Sequence, residues 1–203
     1  MARIEGLPAE RAGWLIRLVY RAARRMYGQL PEPATAMAHH RGILLNSVIF
    51  ELGNDRIMKR LDPALRDLVI HRVSGEIGCS WCVDFGTMLS LREGMSVDRL
   101  RELPRYAESD AFTELEKLAI AYSDATTAQP MEVTDEMVAG LRRHLDDAQL
   151  VELTYAIVLE NQRSRFNHAL GITAQGFTSG DACPLPPAAE AEQVRAAQVT
   201  PTA

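Results

Sequence analysis

The stretch "RLDPALRDLVIHRVSGEIG", residues 60–78, constrains the fold more tightly than any other part of the chain. Leu65, Val69, Val73 and Ile77 recur every fourth residue, the spacing that lines one face of an α-helix. Asp62 stands where an N-cap side chain accepts free backbone N–H groups. Pro63 falls at the first helical position, where a missing N–H does no harm. Gly75 and Gly78 then let the backbone turn. A helix with one apolar stripe must bury it against other elements, and no segment of the chain offers convincing strand alternation. The fold class this implies is all-α.

The remaining segments supply the partners. Residues 7–27 place Trp14, Leu15, Leu18 and Val19 on one face, with Arg17, Arg21, Arg24 and Arg25 around it. Such a basic amphipathic helix can lie on an anionic membrane; packing on the core is commoner and is the reading adopted. In "SDAFTELEKLAIAYSDATT", Thr113 and Glu116 have capping-box spacing, and a shorter helix starts near Thr134. Residues 146–171, "DDAQLVELTYAIVLENQRSRFNHALG", are apolar around most of the circumference between Leu150 and Leu159. This places them at the centre of the fold, with Gly171 closing the helix. "LDPALRDLVIHRVSG" and "LDDAQLVELTYAIVL" form a faint repeat, consistent with two related helical halves around a central buried helix. The domain reading is an N-terminal amphipathic helix or arm over 1–30, a helical domain over 31–180, and a flexible tail over 181–203, rich in proline and alanine.

With 203 residues, 47% of them hydrophobic, the chain can build one sizeable core. A net charge of −5 gives no bulk attraction to phosphate backbones, so nucleic acid is not an expected partner. No apolar run approaches the roughly 20 residues that span a bilayer, and no secretory leader is evident at the N-terminus. The expected compartment is the cytoplasm, where a purely structural disulfide is improbable.

That expectation gives weight to "GCSWCVDF", which places Cys79 and Cys82 three apart; the chain's one other cysteine, Cys183, falls in the tail. At or near a helix start, the helix dipole and unsatisfied N–H groups stabilise a thiolate, and three-residue spacing brings two sulfurs to one side. Redox chemistry, an inactive structural pair and metal binding are the three readings, in that order. Metal comes last because tetrahedral zinc needs four ligands and neither a second C-x-x-C nor an H-x-x-x-H is present. The adjacent His39 and His40 point about 100° apart on a helix and read as surface or capping residues.

"LDPALRDLVIHRVSGEIGCSWCVDFGTMLSLREG" and "LVELTYAIVLENQRSRFNHALGI" together resemble the carboxymuconolactone decarboxylase superfamily, in its alkylhydroperoxidase D-like branch. The likeness covers roughly residues 35–178. It implies an all-helical, cofactor-free fold that usually forms homo-oligomers. It also implies peroxidase or disulfide reductase chemistry, with Cys82 as nucleophile and Cys79 resolving it. The implied partners are a small hydroperoxide and an external dithiol or thioredoxin-like reductant.

The departures matter equally. Peroxidases of the family carry a glutamate twelve residues before the first cysteine and a histidine four after the second, whereas this chain has Asp67 and Gly86 there. The carboxylate survives one methylene shorter and the imidazole is gone. His71, four residues after Asp67 on the same helical face, is the expected replacement base, oriented by Asp67. The blander alternative is a partly buried histidine bonded to a neighbour. Glu76 reads as a surface or turn residue, and His168 and Glu152 as packing or polar-network residues. Trp81 and Phe85 form either an apolar rim for an organic hydroperoxide or a filled core. Asp84 can cap a helix or repel a thiolate. Beside the thiol enzyme stand two alternatives: an inactive oligomeric protein binding a small apolar ligand, and an enzyme like the lactone decarboxylases.

Overall fold

In a computed structural model of the chain, which describes residues 2–178, nine α-helices and no strand are found among the described residues. They are α1 (Trp14–Tyr27), α2 (Glu32–Met37), α3 (Arg41–Ile57), α4 (Pro63–Ile77), α5 (Ser80–Arg92), α6 (Val97–Glu102), α7 (Glu114–Thr127), α8 (Asp135–Leu141) and α9 (Asp147–Ala169), with a 3-10 turn at Leu103–Arg105. The tail expected over 181–203, with Cys183, lies outside the described residues.

Local chemistry sets the helix ends. Asp62 Oδ1 accepts the N–H groups of Ala64 and Leu65 at 2.8 and 3.3 Å, starting α4 as its sequence requires. Thr113 and Glu116 close a capping box on α7, and Asp146 and Gln149 form another on α9. The two segments of the faint repeat are therefore both helices opened by an aspartate, and they pack against each other. His40 caps α3 by accepting the N–H of Ile43 at 3.2 Å.

The core sits around α4. Leu65, Val69 and Val73 are buried against Ala119 and Tyr122 of α7 and Leu153 and Ile157 of α9. Each such side chain contributes about 1.5–3 kcal/mol by leaving water. Leu68, on the neighbouring face, is fully buried with Leu103, Phe112 and Ile120. Glu152, buried on α9, accepts the N–H groups of Arg60 and Leu61 at 2.9 and 3.2 Å, tying the entry to α4 onto α9.

Two faces differ from expectation. On α1 the buried stripe is Ile16 and Tyr20, while Trp14 is 72% exposed and Leu18 is also outward. The cause is tertiary: Tyr20 donates its hydroxyl to the carbonyl of Leu7 at 2.9 Å and packs with Ala12, Ala38 and Leu44, which rotates the helix away from its most apolar local face. On α9, Val151 and Val158 remain exposed although the helix is central. No helix among the described residues is long and apolar enough to cross a membrane.

Candidate active site

The C-terminus of α4 and the N-terminus of α5 meet at a turn through Gly78. Its φ of +75° is open to glycine and strained for other residues; the N–H of Gly78 closes on the Gly75 carbonyl and that of Cys79 on the Ser74 carbonyl. Cys79 follows as the N-cap of α5, its sulfur accepting the N–H of Cys82 at 3.2 Å. Cys79 and Cys82 are joined as a disulfide with Cα atoms 5.3 Å apart, within the usual span for the bond. The cysteines are 1% and 6% exposed respectively.

His71 reaches the same region from α4. Its ring Nδ1 lies 3.7 Å from where a Cβ on Gly86 would stand, one turn along α5 from Cys82. The ring is 2% exposed and neither nitrogen has a hydrogen-bond partner; burial drives its pKa down to about 4. The expected orientation of His71 by Asp67 is therefore absent. Asp67 faces Arg66 instead, 3.6 Å away, and burial together with the like charge of nearby Glu93 lifts the Asp67 carboxyl to about 6. The bland alternative fails too, because this histidine is buried without a bonded neighbour.

The site holds residues that sequence reasoning did not single out. Asn167 of α9, buried, points its side-chain amide at the sulfur of Cys82, with Nδ2 3.3 Å away. Three and seven residues earlier on α9, Ser164 and Glu160 are also buried; Glu160 accepts hydroxyls from Ser74 at 2.9 Å and Ser164 at 2.7 Å. Burial pushes the Glu160 carboxyl up, opposed by Arg163 and these hydroxyls. The readable signal was the spacing of Glu160, Ser164 and Asn167, polar residues on one face of an otherwise buried helix.

Residues 175–178 form a strap beside the pair, Phe177 packing against the buried cluster that holds Cys79, Trp81 and Cys82. Asp84 accepts the backbone N–H groups of Gln175, Gly176, Phe177 and Thr178 at 2.8–3.0 Å, and the Thr178 hydroxyl at 2.9 Å. Burial works to raise its pKa, but the N–H groups of Phe177, Thr178 and Gln175 outweigh it and hold the carboxyl below the usual range. Asp84 thus neither caps α5 nor faces a sulfur. Gln175 accepts from Trp81 Nε1 at 2.9 Å and from Glu32 N at 2.8 Å, and donates to the Leu30 carbonyl at 2.8 Å. Trp81 stacks on Phe85 at 4.7 Å, and Phe85 meets Tyr27 and Phe177 edge-on. These rings fill space rather than frame an open rim. Elsewhere Glu76 pairs with Arg72 at 2.7 Å on the surface, and His168 Nδ1 lies 3.2 Å from the Gly78 carbonyl.

This geometry can be set beside known proteins. The model of the carboxymuconolactone decarboxylase family matches residues 46–125. An uncharacterised Escherichia coli protein, YnjA, is 33% identical over 154 residues, 76% of this chain and 85% of that one. The chain belongs to the carboxymuconolactone decarboxylase family. Within solved structures, the debrominase Bmp8 superposes with a TM-score of 0.76 at 18% identity, over 88% of this chain and 95% of that one. An alkylhydroperoxidase D core, an uncharacterised peroxidase-related protein from Ralstonia eutropha, gives a TM-score of 0.71 at 16% identity, over 86% and 93%. At such identities these two establish the family's all-helical, alkylhydroperoxidase D-like fold for this chain, with α4 and α5 inside the matched family region.

Proposed function

We propose that the chain is a thiol-dependent peroxidase that reduces small organic hydroperoxides with Cys82 and Cys79. The observation that carries this reading is the bonded pair on the first turn of α5, with an unpartnered imidazole against the same helix. Family membership supports it, as does the likeness in fold to a peroxidase-related protein.

In the reduced protein, the Cys82 thiolate attacks one oxygen of the hydroperoxide. An S–O bond forms, the O–O bond breaks, and the leaving alkoxide takes a proton to become an alcohol. The sulfur of Cys79 then displaces hydroxide from the Cys82 sulfenic acid, forming the disulfide, and its proton leaves with the hydroxide as water. An external dithiol restores both thiols by exchange and is itself oxidised. His71 accepts the Cys82 proton. Against a disulfide the buried imidazole has no reason to be charged; a thiolate nearby supplies the opposite charge that favours its protonation.

Counting free thiols before and after one equivalent of cumene hydroperoxide tests the reading. Loss of two thiols per chain, with cumyl alcohol formed, is expected; no loss overturns it. The near-complete burial of both cysteines favours a second reading, a ligand-binding protein with a structural pair, and the outcome without loss belongs to it. His71→Ala is expected to slow oxidation of Cys82 about a hundredfold. Unchanged stopped-flow rates would remove His71 from the mechanism.

A further inference from the structure

Cys79 and Cys82 do not compete on equal terms for negative charge. Cys79 is the N-cap of α5: its sulfur already accepts a backbone N–H, that of Cys82 at 3.2 Å, and it faces the positive end of the helix dipole. Helix geometry alone makes the first cysteine the better thiolate. The reaction proposed above needs the second. We infer that Asn167 reverses the preference, its side-chain amide holding the negative charge on Cys82 and thereby selecting that sulfur as nucleophile. The inference rests on the peroxidase reading for its purpose, though not for its geometry.

Three observations carry it. The amide Nδ2 stands 3.3 Å from Cys82 Sγ, a normal distance for a hydrogen bond to sulfur. Asn167 is 3% exposed, so little water competes for the sulfur or the amide. The residue is also held in place: its carbonyl accepts the Ile172 N–H at 3.0 Å, and the ring of His168 next to it sits against the Gly78 carbonyl at the turn before Cys79. A hydrogen bond from an amide strengthens when its acceptor becomes an anion, so the contact favours the thiolate over the thiol.

The other charged or titratable groups of the packed elements are arranged differently. On α5, the Asp84 carboxylate is engaged by the strap. On α9, Glu160 is held by Ser74 and Ser164 with Arg163 3.6 Å away, and on α4, Asp67 pairs with Arg66. His71 stands beside Gly86, a turn further along α5; once it holds the proton it too favours the thiolate, a contribution that Asn167→Leu leaves in place.

The test uses the full chain with Cys183→Ser, reduced, and cysteine labelled with carbon-13 at Cβ, so that NMR follows each thiol through its own titration without a reagent having to reach it. In the chain with Asn167 intact, Cys82 is expected to ionise at lower pH than Cys79. Asn167→Leu and the nearly isosteric Asn167→Asp are expected to raise the Cys82 midpoint by about one pH unit or more, leaving Cys79 to ionise first. Cys79 ionising first with Asn167 intact overturns the inference, and that measurement decides even where a variant fails to fold. An unchanged order and Cys82 midpoint in folded variants also overturns it. The hydroperoxide thiol count separates the two proposals: two thiols lost with no effect of Asn167 on titration refutes this inference alone, whereas no thiol loss refutes the peroxidase reading.

Discussion

At the scale of single residues, the imidazole of His71 lies against α5 beside Gly86. The ring reaches α5 from α4, with Nδ1 3.7 Å from the glycine's hypothetical Cβ. Gly86→Ala would bring a methyl into ordinary contact with the ring. His71 and Asp67 also set opposing pH dependences. The folded chain resists protonating His71, whose pKa falls from 6.5 to about 4, so that stability of about 3 kcal/mol is present above pH 6.5 and lost on acidification towards pH 4. Asp67 rises from 3.8 to about 6, so the folded state binds its proton more readily and gains a similar amount over nearly the same window. Their near cancellation is exposed by substitution. Asp67→Asn is expected to leave urea midpoints falling steeply between pH 6.5 and 4.5, and His71→Leu to leave them rising; parallel pH profiles in both variants would contradict these assignments. His71 was legible in the sequence because it lies four residues from Asp67, but the environment that lifts the Asp67 carboxyl was not, since burial is tertiary and Glu93 comes from the far end of α5. Asn167 was hidden for the same reason: its contact with Cys82 spans 85 residues, and periodicity does not say which helix a polar face will meet.

At the scale of elements, local signals were read correctly and packing directions less so. The caps at Asp62, Thr113 and Thr134 and the αL glycines Gly78 and Gly171 are decided by residues within a turn, which a sequence displays directly. The α1 stripe is decided by Leu7, Ala38 and Leu44, which it does not. Leu68, fully buried where α4 meets α7 and the 3-10 turn, is a direct probe of the core. Leu68→Ala is expected to cost about 2–5 kcal/mol in chemical denaturation, and a loss under about 1 kcal/mol would mean that the contact is not formed. The strap is a second element whose role can be measured. One carboxylate collects four backbone N–H groups and a hydroxyl, and Asp84→Asn weakens these charge-assisted bonds by removing the charge and one acceptor oxygen. The Cys79–Cys82 disulfide in that variant is expected to be reduced by dithiothreitol about tenfold faster, as strap opening becomes easier. An unchanged rate would show that the reductant does not enter past the strap.

At the scale of the whole molecule, several large apolar side chains are exposed. Val151 and Val158 of α9 border a surface groove with Leu150, Tyr155, Tyr122 and Val138, and Ile49 and Ile57 of α3 are also outward. We propose that the α9 face is where copies of the chain associate, the homo-oligomer that the family resemblance leads one to expect. Val151→Glu with Val158→Glu is expected to lower the mass seen by sedimentation while leaving helix content unchanged; an unaltered mass would place the interface elsewhere. Val151 and Val158 also mark where the nearly all-round apolar pattern of α9 departs from burial: that part of its surface faces outward rather than into the core. The central claim remains chemical, and the most direct measurement isolates its first step. In Cys79→Ser, with the resolving thiol removed, one equivalent of cumene hydroperoxide followed by dimedone is expected to leave a single adduct on Cys82, located by peptide mass spectrometry. No adduct on Cys82, with the variant folded and the hydroperoxide unconsumed, would contradict it.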